Sequence, residues 1–252
     1  MQQIHEQIIK GIKKYFKKSG LARAVVGVSG GIDSSLTLKL AVDALGPEKV
    51  TAISMPELGL SDPINATHSK KLSEALGVTF FSQPINAFLT AFGQTRWGQN
   101  NIAVINTKAR VRAVLLYHYA NTANALVLGT SNKSEILLGY GTKYGDLAAD
   151  LEVIGELYKD EVYALANYLE LPKEIIEKAP TAELFAGQTD ESELGAAYSE
   201  LDPILKQISL GQNALIAKGI NPALLHNIFN RIEKNKHKSA APPVIKIKHE
   251  QI

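Results

Sequence analysis

Two hydrophobic periods alternate along the chain, one typical of amphipathic helices and one typical of buried strands. Near the N-terminus, apolar residues recur every three or four positions and predict a helix that ends near Ser19 and Gly20. The pattern then predicts strands over 24–28, 49–55, 78–81, 125–130 and 151–154. It predicts further helices over 33–45, 62–76, 85–89, 106–120, 159–170, 173–178, 192–208 and 222–235.

This alternation indicates an α/β fold, a doubly wound parallel five-stranded sheet with helices on both faces and a C-terminal helical extension. We expect a single domain over 1–252, made of an N-terminal helix (1–20), a nucleotide-binding α/β core (21–182) and a helical extension with a basic tail (183–252). Ligands of such sheets bind beyond the carboxyl ends of the strands. Ser29, Met55 and Thr130 each end a predicted strand, so we expect them to line one site.

Composition excludes several classes of protein. The formal charge of +2, from 27 basic and 25 acidic residues, is too small to indicate a nucleic-acid binder. The absence of cysteine removes disulfides, thiolate metal sites and cysteine nucleophiles. No apolar stretch reaches membrane-spanning length, and the chain opens with an amphipathic helix rather than a secretion signal. We therefore expect a cytoplasmic enzyme without a membrane or nucleic-acid partner.

The segment Ser29-Gly30-Gly31-Ile32-Asp33-Ser34-Ser35 follows the first strand and opens the next helix. Its glycines, hydroxyls and first-turn amides favour an anion such as phosphate. Asp33 would repel that anion, and the simplest explanation is a divalent cation held between Asp33 and phosphate oxygens. The alternative is an ordinary glycine-rich turn capped by Asp33 or Ser34.

This segment resembles the pyrophosphate-binding signature of the ATP pyrophosphatases. The resemblance implies an enzyme that splits ATP between its α and β phosphates, adenylates its substrate and releases pyrophosphate. It also implies the adenine nucleotide alpha hydrolase-like version of the fold. The superfamily acts on many substrates, so this motif alone identifies the chemistry and not the substrate.

A second segment runs from Leu128 to Asp146 as LGTSNKSEILLGYGTKYGD and follows the fourth strand. Glu135 lies about one helical turn inside it and can face Asp33, so the two carboxylates suit Mg²⁺. Alone, Glu135 would equally well be a first-turn acid that complements the helix dipole, and Lys159 a solvated lysine. The segment closely resembles the NAD synthetase family, and the resemblance extends over about 21–238.

The resemblance assigns an ATP site and a metal site to this sequence. It implies that ATP is a co-substrate and that Asp33 and Glu135 hold Mg²⁺, with Lys159 on the phosphates. The implied ATP-binding residues are Gly27, Val28, Ser29, Gly30, Gly31, Ile32, Asp33, Ser34, Met55, Thr130, Lys159 and Thr181.

For deamido-NAD the resemblance implies Arg110, Lys143, Asp150, His237 and Lys238. Arg112 is the neighbour most easily confused with Arg110. We assign Asp146 as the group that accepts the proton of ammonia, which makes it catalytic together with Asp33, Glu135 and Lys159.

This chain departs from the family pattern at two places. Ser131-Asn132 stands where many ammonia-using members have Asp-His, and Ser54 replaces a frequent arginine near adenine. We expect these departures to affect contacts with adenine only.

Taken together, the resemblance implies an ammonia-dependent NAD synthetase that acts as a homodimer, with the long helix around 106–120 at the interface. Two alternatives stay open, a synthetase acting on another carboxylate or carbonyl and a sensor that binds ATP without turnover.

Overall fold

The computed structural model describes residues 1–181, 185 and 187–247. Its five strands are β1 (Arg23–Gly27), β2 (Val50–Ser54), β3 (Thr79–Ser82), β4 (Ala125–Gly129) and β5 (Leu151–Glu152). All four pairings are parallel, in the order β3-β2-β1-β4-β5. The strand order reverses at β1, so the crevice between the ends of β1 and β4 is where a ligand is expected in a doubly wound sheet.

The helices preceding β4 are α1 (Gln2–Ser19), α2 (Ile32–Leu45), α3 (Pro63–Ala75), α4 (Asn86–Phe92) and α5 (Asn101–Ala123). After β4 come α6 (Lys133–Leu138), α7 (Lys159–Tyr168), α8 (Lys173–Ile176), α9 (Asp190–Leu194), α10 (Tyr198–Leu205), α11 (Gln212–Ala217) and α12 (Pro222–Asn235). Short 3-10 helices cover Pro47–Lys49, Ile208–Leu210 and Lys236–Lys238. Within the described residues, no helix is long and apolar enough to span a membrane.

Both faces of the sheet are buried, which explains why its strands are apolar at most positions. Along β1, Ala24 and Val26 pack with α1, α2 and α7 on one face, whereas Val25 packs with α4 and α5 on the other. A further apolar cluster joins Leu138 of α6 to α10, α11 and α12. The C-terminal helices are thereby anchored beside α6, which carries Glu135.

The fold confirms the predicted parallel sheet and corrects several boundaries. The helix predicted over 192–208 is two helices, α9 and α10, because Gly195 adopts a left-handed φ of +81° that ends α9. The predicted strand 151–154 pairs only over Leu151–Glu152. Helix α5 is longer than predicted, because the Asn100 side chain caps its N-terminus and Asn124 ends it in a left-handed conformation, both outside the periodic segment; α11 was not predicted. The predicted boundary between 182 and 183 lies outside the described residues.

Gly30 is the glycine that the fold constrains most tightly at the loop after β1. Its φ is +76°, and a Cβ atom there would lie 2.6 Å from the carbonyl oxygen of Asn65 in α3. Gly11, in contrast, lies in α1, where an added methyl group would meet no neighbouring element within 4 Å. The two glycines form a matched pair for testing how strongly this loop depends on the absence of a side chain.

We expect Gly30→Ala to lower the free energy of unfolding by about 1–3 kcal/mol, because the backbone is strained and the methyl group collides with α3. Gly11→Ala should raise it by about 0.5–1 kcal/mol through helix propensity. Urea unfolding of both variants measures the difference. A Gly30→Ala protein as stable as Gly11→Ala would contradict the described loop geometry.

Candidate active site

A cavity of about 590 Å³ opens at the carboxyl ends of β1, β2 and β4. Ser29, Met55 and Thr130 all line it, so the structure brings together the three strand-end residues. Other predicted site residues on its wall are Gly27, Val28, Gly31, Ile32, Asp33, Ser34, Glu135, Asp146, Lys159, Thr181 and Lys238. Gly30, Arg110, Lys143, Asp150 and His237 are described but do not belong to this wall.

The loop between β1 and α2 is built around two hydroxyl groups. The Ser34 hydroxyl accepts the backbone N–H of Ser29 at 3.1 Å and donates to the carbonyl of Gly31 at 3.1 Å, while Ser29 Oγ accepts the N–H of Gly31 at 3.3 Å. No described side chain caps α2, whose first residue is Ile32. The dipole and first-turn amides of α2 therefore face the cavity as an anion-binding end.

Lys159 is the centre of the site's charge arrangement. Its side chain is 1% exposed, and its Nζ atom lies 2.6 Å from Asp33 Oδ2 and 3.8 Å from Glu135 Oε1. Asp33, Glu135 and Lys159 lie in α2, α6 and α7, the helices that follow β1, β4 and β5. Glu135 and Asp33 therefore lie close together, as predicted, and the buried ammonium group of Lys159 lies between them.

Asn132 joins the two acids, and sequence analysis missed this role. Its Nδ2 donates to Asp33 Oδ1 at 3.0 Å, and its Oδ1 accepts the N–H of Glu135 at 3.0 Å. The Glu135 carboxylate returns the capping-box bond by accepting the N–H of Asn132 at 3.2 Å. The expectation that the Ser131-Asn132 departure affects adenine contacts only was wrong, because Asn132 is fully buried against Asp33.

Burial and the short distances between these charged groups shift the pKa values of Glu135 and Lys159. Burial raises the pKa of Glu135 well above its usual range, and the neighbouring Asp33 raises it further, while Lys159 opposes both effects. Burial alone would lower the pKa of Lys159, but the carboxylates of Asp33 and Glu135 outweigh burial and the pKa is raised. Lys159 is thus an ammonium at neutral pH.

A second layer of groups surrounds Lys159 from the C-terminal helices. The ring of Tyr198 lies 5.1 Å from Lys159 Nζ, in cation–π range, and the Tyr198 hydroxyl donates to Asp190 Oδ2 at 3.1 Å. Tyr140 donates to Asp190 Oδ1 at 3.1 Å. Burial raises the pKa of Asp190, and Lys159 and the two hydroxyls oppose the shift. Thr189 caps α9, because its side chain accepts the backbone N–H of Ser192 at 3.2 Å, which leaves the Asp190 side chain to the two tyrosines.

The two predicted metal ligands fit a divalent cation. Asp33 and Glu135 share one ammonium, so the group of three carries a net negative charge when both carboxyl groups are ionised, and burial makes that charge unfavourable. Oxygen ligands of this kind suit Mg²⁺, which commonly uses one or two carboxylates and completes its shell with water and phosphate oxygens. The described residues contain no group of three or more His, Asp or Glu side chains that could hold a metal without such additional ligands.

The glycine-rich segment after α6 is held by the C-terminal tail. Lys238 Nζ donates to the carbonyls of Gly139 and Gly141, both at 2.9 Å, and Lys143 Nζ donates to the carbonyl of His237 at 2.6 Å. Arg110 donates from Nε to the carbonyl of Lys143 at 3.3 Å. These contacts bring four of the five residues predicted for deamido-NAD into one cluster at the rim of the cavity.

Asp146 and Asp150 have different surroundings. Asp146 is open to the cavity, and its Oδ1 accepts the N–H of Thr142 at 2.9 Å. The surrounding protein raises its pKa, and the hydrogen bond from Thr142 opposes the shift. Asp150 instead accepts the N–H of Val127 at 2.8 Å and the hydroxyl of Tyr117 at 3.3 Å, so it also supports the sheet beside β4.

Arg112 lines the cavity, whereas Arg110 does not. Its Nε donates to the carbonyl of Met55 at 2.9 Å, at the end of β2. The two arginines that the sequence pattern left easy to confuse therefore occupy different positions, because residues two apart on a helix point in different directions.

Comparisons with known proteins agree on one family. A family model described as NAD synthase matches residues 4–242 of this chain. An NH(3)-dependent NAD(+) synthetase of Methanocaldococcus jannaschii is 45% identical over 98% of this chain and 98% of that protein.

Solved structures give the same result for the fold. An NH3-dependent NAD synthetase of Campylobacter jejuni, in complex with the nitrate ion, superposes with a TM-score of 0.84 at 36% identity, covering 97% of this chain and 99% of that one. An NMN synthetase of Francisella tularensis superposes with a TM-score of 0.88 at 30% identity, covering 98% of both chains.

Glu152 offers a pH-dependent test of the packing beside the site. Its Oε2 accepts the N–H of Ser131 at 3.3 Å, and its carboxyl group occupies the space that a Cβ atom would need at Gly129. Burial raises the pKa of Glu152 from 4.5 to about 7; Asp146 adds to the shift and the bond from Ser131 opposes it. The folded chain therefore binds this proton more tightly than the unfolded chain.

The stabilisation linked to Glu152 is complete below about pH 4.5 and is lost as the pH rises towards 7. Glu152→Gln should therefore gain stability relative to the parent over this interval, by roughly 1–3 kcal/mol at pH 8. Denaturant unfolding between pH 5 and pH 8 measures it, with the exposed Glu156→Gln as the control for loss of a charge. A parent-to-variant difference that does not change with pH would contradict the burial of Glu152.

Proposed function

The chain belongs to the NAD synthase family, and we propose that it uses the cavity described above for the ammonia-dependent synthesis of NAD. It is a ligase that amidates deamido-NAD, with ATP as co-substrate and AMP and pyrophosphate as products. The observation that carries the assignment of the site is the buried Lys159 ammonium between Asp33 and Glu135, beside the anion-binding end of α2.

The reaction has two steps. A carboxylate oxygen of the nicotinate group attacks the α-phosphorus of ATP, and the bond to the bridging oxygen breaks, which releases pyrophosphate. Ammonia then attacks the carbonyl carbon of the NAD-adenylate, AMP leaves with the electrons of the broken acyl bond, and one proton is lost from nitrogen.

Charge neutralisation is the main contribution of the residues around Lys159. The amides at the start of α2, with the Ser29 hydroxyl, lie where they can donate to the leaving pyrophosphate, and the Ser34 hydroxyl holds the loop in that geometry. Lys159 supplies an ammonium group, and Thr181 a hydroxyl on the same cavity wall. Mg²⁺, held by Asp33 and Glu135, would supply Lewis-acid stabilisation of the phosphate oxygens.

Asp146 is the proposed acceptor of the ammonia proton. It faces the cavity, its orientation is set by Thr142, and its raised pKa makes it a stronger base than an aspartate with the usual pKa. For deamido-NAD we propose Arg110, Lys143, Asp150, His237 and Lys238. The support for Arg110, Lys143, His237 and Lys238 is the cluster that links Arg110 to Lys143, and both lysines to the tail and the glycine-rich segment. Asp150 is proposed from the family resemblance alone.

A mononucleotide is the second candidate substrate. The neighbour with a TM-score of 0.88 is named as an NMN synthetase, and amidation to that product uses the mononucleotide counterpart of deamido-NAD. The same adenylation chemistry serves both substrates, so the cavity geometry around Lys159 does not separate them. We favour deamido-NAD because of the higher identity to the NAD(+) synthetase of Methanocaldococcus jannaschii.

We further propose a homodimer that works in the cytoplasm, where ATP is available. The helix α5 and the segment before it carry exposed apolar side chains that a second copy would cover: Trp97 (72% exposed), Ile102 (70%) and Val114 (67%). Light scattering tests the assembly, since a mass of 27.3 kDa in solution would contradict it.

Steady-state assays with ATP, ammonium and either deamido-NAD or nicotinic acid mononucleotide test the function. We expect one AMP and one pyrophosphate for each NAD formed, and a kcat/KM at least about tenfold higher for the dinucleotide. Formation of ADP and phosphate would contradict the adenylation chemistry. Binding of ATP without turnover would favour the sensor, and preference for the mononucleotide would favour the second candidate substrate.

A further inference from the structure

Asp202 is a buried acid that the reaction described above does not use. It lies in α10, in the C-terminal extension, and is 0% exposed. Its Oδ1 accepts the hydroxyl of Ser134 at 2.5 Å, and its Oδ2 accepts the backbone N–H of Asp160 at 2.8 Å. One carboxylate therefore joins three helices, α10, α6 and α7.

These partners are direct neighbours of the charged site residues. Ser134 precedes Glu135 in α6, and Asp160 follows Lys159 in α7. The link is closed by the Ser134 Oγ atom, which also accepts the backbone N–H of Lys159 at 3.1 Å. Asp202 and Ser134 thus hold the backbone at the positions that set where Glu135 and Lys159 point.

The same contacts satisfy the first amides of α7. These N–H groups have no partner within the helix, and a carboxylate is the group that the helix dipole favours there. Because Asp202 and Ser134 occupy them, the end of α7 is fixed by protein groups, and Lys159 projects from a firmly held first turn.

Apolar packing also holds α10 in place. Leu201, Ile204 and Leu205 flank Asp202 in sequence and are almost fully buried in the cluster that contains Leu138. Burial raises the pKa of Asp202, and the hydrogen bonds from Ser134 and Asp160 oppose that shift, so an acid here costs free energy that an apolar residue would not. Unlike an apolar residue, the Asp202 carboxylate forms hydrogen bonds of fixed direction to both α6 and α7, and so connects the two helices.

We propose that Asp202 is a positioning residue of the active site, which acts through Ser134 and Asp160 to hold Glu135 and Lys159 at their separation and within reach of Asp33. This inference rests on the proposed function only in taking Asp33, Glu135 and Lys159 as the groups that receive Mg-ATP. The C-terminal extension is then a working part of the ATP site, although its helices lie outside the sheet.

Two substitutions test the proposal, Asp202→Asn and Ser134→Ala. In Asp202→Asn the amide keeps the volume but loses one acceptor, and we expect the Kd for Mg-ATP to rise roughly tenfold and kcat to fall by a similar factor. The KM for ammonium should stay within about twofold, because a positioning effect is confined to the phosphate side. Isothermal titration calorimetry measures Mg-ATP affinity independently of turnover, so failure of the deamido-NAD assay would not affect this arm.

Two controls separate positioning from folding. Leu201→Ala opens a cavity in the same helix and should lower the urea midpoint of unfolding while leaving the Mg-ATP affinity of the folded protein unchanged. Lys206→Met breaks the partly exposed ion pair with Asp160 at the same junction and should also leave the affinity unchanged. A loss of affinity in Leu201→Ala equal to that in Asp202→Asn would overturn the proposal.

Ser134→Ala keeps the test decisive if Asp202→Asn does not fold. It removes the hydroxyl that joins Asp202 to the N–H of Lys159, and we expect a three- to tenfold loss of Mg-ATP affinity. When both variants fold, the double variant should lose little more than the stronger single variant, because both act on one connection. Parent-like affinity and kcat in the substituted protein that folds would refute the positioning role.

Discussion

The proposed active site depends on one interaction, the burial of the Lys159 ammonium between the carboxylates of Asp33 and Glu135. Each of these charges would be unfavourable alone in this environment, and each is tolerated because the others lie within 2.6 to 3.8 Å of Lys159 Nζ. The cluster still has more carboxylates than ammonium groups. Burial, with repulsion from Asp33 added to it, raises the pKa of Glu135, and the excess of carboxylates suits the site to a divalent cation and phosphates.

The cluster forms because the N-terminal ends of three helices lie close together in the fold. The helices α2, α6 and α7 bring one member each, and the parallel sheet places the ends of β1 and β4 side by side. Asn132 and Asp202 then fix the cluster from two sides, one through the side chain of Asp33 and the other through the backbone next to Glu135 and Lys159. The charged cluster is thus assembled from residues that are individually ordinary in their local structure.

Sequence reasoning reached the features that local chemistry determines. The strand-to-helix glycine loop, the parallel sheet and the pairing of Asp33 with Glu135 all follow from residue types at short range or from family motifs. Asn132 and Asp202 were missed because their partners lie 99 and 68 residues away, and no local pattern marks such a contact. The break between α9 and α10 had a usable signal in Gly195, which the helical periodicity around it concealed.

The central claim is that Asp33 and Glu135 make the binding of ATP depend on magnesium. The most direct test is the affinity for ATP, measured by calorimetry with and without Mg²⁺, in the parent and in the double variant Asp33→Asn/Glu135→Gln. We expect Mg²⁺ to strengthen binding at least about tenfold in the parent. In the double variant this gain should disappear, while binding without Mg²⁺ is retained or improved because two negative charges are gone. An equal gain from Mg²⁺ in both proteins would contradict the account.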